Sequence, residues 1–212
     1  MIHFLNEIRR PIEIPLSRKL LYSTLLLITG VILGVISKVL DTTPSNYLPY
    51  FLQVFDLRNF FSSMGIWIFL AVVISVYSKT PIRSAINVFL FFVGMVSSYY
   101  LYTVFIAGFF PKSYMMIWIF MTCISPFSAF VCWYAKGQGI IAITISSIIF
   151  MFISRQAFAF GFWYFDLRSI LEFLLWIAMI FVLYQSPKQI IQVVSIGLLL
   201  FFLTAQITLF MG

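Results

Sequence analysis

Residues 20–40 read LLYSTLLLITGVILGVISKVL, and this stretch indicates the class of protein. Its one charged residue is Lys38. A helix needs about 20 mostly apolar residues to cross the hydrocarbon core of a bilayer. Further apolar runs lie at 59–78, 84–108, 113–134, 139–158, 169–185 and 189–210. The sequence therefore predicts an all-α, polytopic helical membrane bundle of about seven transmembrane helices, with six as the alternative count.

The composition supports a membrane protein. Of the 212 residues, 63% are hydrophobic and 9% are charged, whereas a soluble domain carries about 25% charged residues. Disorder is excluded as well, because disordered chains combine low hydrophobicity with high charge. The net charge of +7 comes from basic residues that are distributed among the N-terminal segment and the loops. This scatter argues against nucleic acid as a partner.

The basic residues also predict an orientation. Residues 1–19 form a basic segment with Pro11 and Pro15, and residues 20–212 form a single transmembrane bundle domain. A cytoplasmic N-terminus satisfies the positive-inside rule, and seven crossings then place the C-terminus outside. We expect the plasma membrane of a bacterium. The inner basic residues are Arg9, Arg10, Arg18, Lys19, Lys79, Arg83, Lys136 and Lys188, and the outer ones are Lys38, Arg58, Lys112, Arg155 and Arg168.

The phrase Phe-Asp-Leu-Arg occurs twice, at 55–58 and at 165–168. Each copy precedes a run that contains a tryptophan, Trp67 or Trp176. Two equivalent runs four crossings apart indicate two parallel three-helix repeats joined by a linker helix, a plan found in transporters. The alternative is a helix start used twice, because Asp is a good N-cap and the preceding Phe can pack onto the first turn.

The reactive residues argue against an enzyme. His3 is the only histidine, so neither a paired-histidine metal site nor an internal serine–histidine pair can form. The sequence has no G-x-S-x-G, Walker A or G-x-G-x-x-G motif. Cys123 and Cys132 lie too far apart on one predicted helix for a disulfide. We expect no enzymatic activity, no metal and no cofactor, with a carboxylate enzyme acting on lipid as a distant alternative.

Charged and aromatic residues near the outer ends of the runs form the candidate substrate site. Ionisable residues at membrane depth are costly and commonly functional, and Glu172 is the strongest candidate. Ser169-x-x-Glu172 also matches a capping box, which would place this carboxylate at a helix start. Lys38 and Arg155 either snorkel to water or line an outward polar mouth with Asp41. The predicted substrate-binding residues are Asp56, Arg58, Trp67, Tyr99, Tyr100, Asp166, Arg168, Glu172 and Trp176.

An interfacial aromatic belt is the alternative explanation for the tyrosines and tryptophans. Small residues at helical spacing predict close helix packing, with Gly30, Gly34, Gly94 and Ala129 as the main positions. Pro126 should kink its helix and free a backbone carbonyl, which a neighbouring group must then satisfy.

In its length and in the Gly30-x-x-x-Gly34 face, the chain is similar to the substrate-binding components of energy-coupling-factor vitamin transporters. This resemblance implies a substrate-capture membrane subunit that works with an ATPase partner. Those components have six spans and an alanine-based pattern in their first helix, so no binding residue is carried over.

The favoured hypothesis is a small-molecule transporter or permease with an outward-facing polar and aromatic site. The aromatic residues favour a heterocyclic or amphipathic solute over a bare ion, because no acidic ring or carbonyl filter is present. Two competing hypotheses are the capture subunit and a non-transport scaffold, assembly or immunity-type protein. The expected partners are the lipid bilayer, a small-molecule substrate, and a second copy or a partner membrane subunit.

Overall fold

The computed structural model describes residues 2–44, 47–108, 111–161 and 163–211, with side chains described between residues 5 and 206. Nearly all of this part of the chain is helical. The helices are α1 (Ile2–Ile8), α2 (Leu16–Thr42), α3 (Tyr50–Val54), α4 (Leu57–Ser62), α5 (Met64–Tyr77), α6 (Pro81–Phe105), α7 (Lys112–Trp133), α8 (Gly139–Ala157), α9 (Ile170–Leu183) and α10 (Pro187–Met211). Strands β1 (Phe158–Phe160) and β2 (Phe165–Leu167) form an antiparallel hairpin.

Among the described residues, five helices are long and apolar enough to cross a membrane. They are α2, α6, α7 with its following turn, α8 and α10. This confirms a polytopic helical membrane protein. Helices α5 and α9 are also apolar but have only 14 residues each, so length alone does not show seven crossings.

The chain divides into two compact units that interleave along the sequence. The α2 unit contains residues 11–62 and 77–130, and the α8 unit contains residues 1–10, 63–76 and 131–212. The prediction of one bundle domain over residues 20–212 stays a prediction. The repeat is not confirmed, because α5 belongs to the α8 unit while α2 and α6 belong to the other one.

In the α2 unit, α2 and α6 run parallel and in close contact. Ser23 contacts Asn87 near the helix starts, and Lys38 contacts Tyr99 near the helix ends. Between them, a Cβ placed on Gly30 would overlap the backbone carbonyl of Phe91. Gly34 and Gly94 approach the partner helix as closely. The glycine face of α2 is therefore occupied by α6 of the same chain.

Pro126 lies inside α7, as the apolar run predicts. Proline has no N–H, so the carbonyl of Thr122 loses its usual helical donor. The hydroxyl of Ser125 donates to this carbonyl at 2.8 Å. The freed acceptor is thus satisfied by the residue just before the proline. The carbonyl of Ala129, one turn later, accepts a hydrogen bond from Ser84 of α6 at 2.8 Å.

In the α8 unit, α8 and α10 run parallel and α9 runs antiparallel to both. At one end, Gln189 and Gln185 donate to the carbonyls of Gly137 and Lys136. At the other end, the ring of Phe158 lies 6.2 Å from those of Phe173 and Phe201. Helix α9 therefore lies alongside α8 and runs in the opposite direction.

Arg9 ties the N-terminal segment to the α8 unit. Its guanidinium donates to the carbonyls of Trp133 and Val76, at 2.5 and 2.8 Å, and lies 4.2 Å from the centroid of the Trp133 ring. Burial lowers the pKa of Arg9 to about 10, so the side chain remains charged at neutral pH. A cation at the last carbonyls of two helices complements their dipoles.

The two copies of Phe-Asp-Leu-Arg have different conformations. In the first, Asp56 has a φ of 47° and Leu57 begins α4. In the second, Phe165, Asp166 and Leu167 form β2. The first copy is thus a helix start and the second is not.

Candidate functional site

The structure divides the nine predicted substrate-binding residues between the two units. Asp56, Arg58, Tyr99 and Tyr100 belong to the α2 unit, and Trp67, Asp166, Arg168, Glu172 and Trp176 belong to the α8 unit. Within each unit, some of these side chains come together and others do not.

Three of the predicted charges are exposed and make only local contacts. Asp56 accepts a hydrogen bond from the side chain of Asn59 at 2.7 Å. Asp166 accepts from the backbone N–H of Leu167 at 2.7 Å. Arg168 donates to the carbonyl of Phe158 at 3.3 Å. These contacts stabilise a turn and the hairpin, so they account for the three residues without a substrate.

Glu172 is different because it is buried, with 6% of its surface exposed. Ser169 is the N-cap of α9, and its hydroxyl accepts a hydrogen bond from Leu171 N–H at 3.2 Å. Glu172 is therefore the third residue of the helix, where the capping-box pattern places it. In the described part of the chain, no hydrogen bond or ion pair reaches its carboxylate.

Three helix ends meet at this carboxylate. A Cβ placed on Gly65, in the first turn of α5, would lie 3.5 Å from Glu172 Oε1. The same position would lie 3.3 Å from the Cβ of Gln156, near the end of α8. Two of the three helix ends are N-termini, whose dipoles favour a negative charge. Gly65 has no side chain, which allows these helix ends to pack closely beside the carboxylate.

Aromatic rings follow Glu172 along α9. Trp176, one turn further on, donates from Nε1 to the hydroxyl of Ser154 at 2.9 Å. Its ring stacks on Phe173 at a centroid distance of 5.8 Å and meets Phe158 edge-on at 5.4 Å. Trp67, two residues after Gly65, is also buried. The α8 unit thus places a buried acid at the edge of an aromatic cluster.

A second buried charge occurs in the α2 unit. Lys38 has 2% of its surface exposed, and its ammonium lies 2.8 Å from Asp41 Oδ2. The hydroxyl of Tyr99 donates to the same oxygen at 3.1 Å. The ammonium also lies 4.8 Å from the Tyr99 ring centroid. The Lys38 side chain therefore does not extend to water, as a snorkelling lysine would, but turns toward Tyr99 of α6.

Tyr100 completes this group. Its ring packs edge-on against that of Tyr99 at 5.3 Å, and its hydroxyl is buried without a hydrogen-bond partner among the described residues. The binding-site prediction included both tyrosines but left out Lys38 and Asp41. Their pairing was predictable in principle, because a lysine and an aspartate three residues apart on a helix are neighbours on its surface.

Comparison with known proteins places the chain in a family. A family model described as a family of unknown function matches residues 15–194. The chain belongs to DUF6518. No curated protein and no solved structure matches it. The matched region of this DUF6518 protein contains both buried charges, Lys38 and Glu172.

A partly buried polar network joins the helix starts of the α2 unit in this DUF6518 protein. Arg83 donates to the carbonyl of Lys19 at 2.7 Å and to the hydroxyl of Ser23. Ser23 donates in turn to Asn87 Oδ1 at 2.8 Å. These bonds join α2 to α6, which is a structural role. The described residues contain no group of three or more His, Cys, Asp or Glu that could hold a metal ion.

Proposed function

We propose that the protein is a small-molecule transporter that crosses the membrane seven times and binds a cationic aromatic solute at Glu172. The observation that carries this proposal is that Glu172 has 6% of its surface exposed and its carboxylate receives no hydrogen bond or ion pair from the described residues. The N-terminus is cytoplasmic and the C-terminus is external. The cell is a bacterium, and the protein is not an enzyme.

The helix directions support seven crossings. Helices α2 and α6 are parallel, so the chain between them must return across the membrane. The apolar helix available there is α5. Helices α8 and α10 are parallel as well, and α9 returns between their ends. Both short helices therefore act as crossings in this proposal.

Fusions at the C-terminus test this topology. With seven crossings, alkaline phosphatase fused after Gly212 is active and a fluorescent protein at the same position is dark. The reverse pattern would exclude an odd number of crossings and the proposed orientation.

The surroundings of Glu172 support a cation as the solute. An ionised group at membrane depth is costly unless a partner of opposite charge is present. The neighbouring rings of Phe173 and Trp176 supply flat apolar surfaces that attract a cation. A flat, positively charged solute matches both features.

Ethidium, a flat aromatic cation, is a suitable probe. Its binding is measured by fluorescence with the purified protein in detergent, and its accumulation is measured in proteoliposomes. We expect Glu172→Gln to weaken binding by about tenfold or more, which corresponds to about 1.4 kcal/mol, and to abolish accumulation. Asp166→Asn is the matched control, because Asp166 is exposed on the hairpin, and it should behave as wild type.

The proposal fails if folded Glu172→Gln protein binds and accumulates ethidium as wild type does. Absence of ethidium binding in wild type would favour the non-transport scaffold. The capture-subunit hypothesis loses its main support, because the Gly30 and Gly34 face is packed against α6. A partner subunit would need another surface.

A further inference from the structure

The hairpin of β1 and β2 begins where a membrane-crossing helix of the α8 unit ends. Helix α8 has 19 residues and is about 28 Å long, close to the thickness of about 30 Å of the hydrocarbon core. Its last residue, Ala157, directly precedes β1. The ring of Phe160 in β1 also lies 5.5 Å from that of Phe202, in the second half of the crossing helix α10. The hairpin therefore lies near a boundary between hydrocarbon and water.

The two faces of the hairpin differ in polarity. Side chains alternate between the faces of a strand, and Phe158, Phe160 and Phe165 share the face that contacts aromatic rings of α9 and α10. Asp166, which pairs with Ala159, lies on the opposite face and is exposed. The hairpin is therefore apolar toward the helices and carries a charge on its other side, as expected for an element between protein and water.

The tip of the hairpin, Trp163 and Tyr164, presents large aromatic side chains to the surroundings. Trp163 has 98% of its surface exposed and Tyr164 has 62%, so Trp163 has almost no contact with the protein. Clustered exposed apolar side chains commonly mark an interaction surface. Trp and Tyr are enriched where membrane meets water, because the ring is apolar while its N–H or O–H group bonds to water.

Two arginines at the base of the hairpin complement the charge of phospholipids. Arg155 lies in the last turn of α8. Arg168 directly follows β2, and its Nε donates to the carbonyl of Phe158 at 3.3 Å. Neither arginine forms an ion pair with a carboxylate of the described residues. Arginine side chains near helix ends extend to the membrane surface, where lipid phosphates are suitable hydrogen-bond acceptors.

We propose that the hairpin tip is inserted between phospholipids, at the boundary between their headgroups and their acyl chains. The contact continues the exposed apolar surface of α9, which begins at Ile170. The unpaired edges of a two-stranded hairpin have no partners in hydrocarbon, so the tip extends only as far as this boundary. The contact fixes the depth at which α9 begins, and it does not depend on the proposed transport or on the orientation of the protein.

Depth-dependent fluorescence quenching tests this contact with the full-length protein in phosphatidylcholine nanodiscs. Cys123 and Cys132 are replaced by alanine, and Trp163→Cys is labelled with a nitrobenzoxadiazole fluorophore. A nitroxide near the headgroup end of the acyl chain should quench this label about twice as strongly as one near the chain terminus, because the boundary is shallow. Iodide in the buffer should quench it only weakly.

Asp166→Cys with the same label is the matched control, because it lies on the polar face of the same hairpin. Iodide should quench this label strongly, and both lipid nitroxides should quench it weakly. Equal responses at the two positions would overturn the proposal, as would strong iodide quenching of the label at position 163. Loss of lipid quenching when each disc holds two copies in place of one would overturn it as well, because the tip would then contact a second copy.

Intrinsic fluorescence provides a second measurement if the variant without cysteines does not fold. Wild type and Trp163→Phe are compared in nanodiscs that contain phosphatidylcholine brominated near the headgroup end of its acyl chains. The emission that this substitution removes should be the part that the bromine atoms quench most strongly. The same fractional quenching in both proteins would contradict the insertion of Trp163.

Discussion

The two units hold their helices together in different ways. In the α2 unit, backbone lies directly against backbone at Gly30, Gly34 and Gly94. In the α8 unit, aromatic rings such as those of Phe158 and Trp176 fill the contacts at one end of α9, and α10 meets the α8 backbone less closely, with a Cβ on Gly197 lying 3.0 Å from the carbonyl oxygen of Ser147. Lipid tails are as apolar as the side chains, so close packing and hydrogen bonds, more than hydrophobic burial, stabilise helix pairs in membranes. An interface of backbone against backbone cannot accept an added side-chain atom unless a helix moves, whereas an aromatic ring can rotate to make room.

The largest predicted effect comes from making the same substitution in both units. In Gly30→Ala the new methyl meets the carbonyl of Phe91, which moves only if α6 moves. In Gly197→Ala the nearest atoms are a Phe150 ring carbon at 2.9 Å, which can yield, and the carbonyl oxygen of Ser147 at 3.0 Å, so the overlap is milder than at Gly30. We expect losses of about 3 kcal/mol and about 1 kcal/mol in the free energy of unfolding. Denaturant titration of both variants in detergent measures the difference. Equal losses would show that the two interfaces are equally rigid.

A smaller effect is expected from the hydrogen bond between Trp176 and Ser154. Trp176→Phe keeps an aromatic ring but removes the Nε1 donor, and Ser154→Ala removes the acceptor. Hydrogen bonds between membrane helices contribute about 0.6 kcal/mol on average. A double-mutant cycle on unfolding free energies should give a coupling of that size. A coupling near zero would mean that ring packing alone fixes the end of α9.

Several features of the fold were predictable because they depend on composition or on local rules. The apolar runs gave the membrane class, and the run at 139–158 corresponds closely to α8 (Gly139–Ala157). The serine–glutamate spacing placed Glu172 in the first turn of α9. Pro126 indicated a freed carbonyl, which is that of Thr122.

Other features depend on contacts that one sequence does not reveal. The apolar run at 59–78 is divided between α4 and α5 near Ser62, whose hydroxyl donates to the carbonyl of Arg58 at 2.9 Å. Such a bond competes with regular helix geometry. The hairpin is closed by a hydrogen bond from Gly161 N–H to the carbonyl of Tyr164. Its strands are as apolar as the neighbouring helices, so the apolar pattern alone did not distinguish them. The pairing of Lys38 with Asp41 and Tyr99 required knowing which face of α2 meets α6.

The repeated phrase shows the same limit for short motifs. An identical tetrapeptide is a helix start at 55–58 and mainly a strand at 165–168. Its residues have no strong preference between these states, so the neighbouring chain decides. Yet α9, which follows the second copy, and α5, which follows the first copy after the short α4, are both 14 residues long and begin side by side, with Gly65 next to Glu172.

The 14-residue length of α9 has a consequence for the surrounding lipid. At 1.5 Å per residue α9 is about 21 Å long, whereas α2 with 27 residues is about 40 Å long. The hydrocarbon core of a bilayer is about 30 Å thick. Ile170, Leu174 and Phe181 of α9 are exposed, and in the proposed seven-crossing topology the acyl chains beside them must compress or tilt to cover the helix. In that topology, we expect the stability of the protein to depend on acyl-chain length through the mismatch at α9.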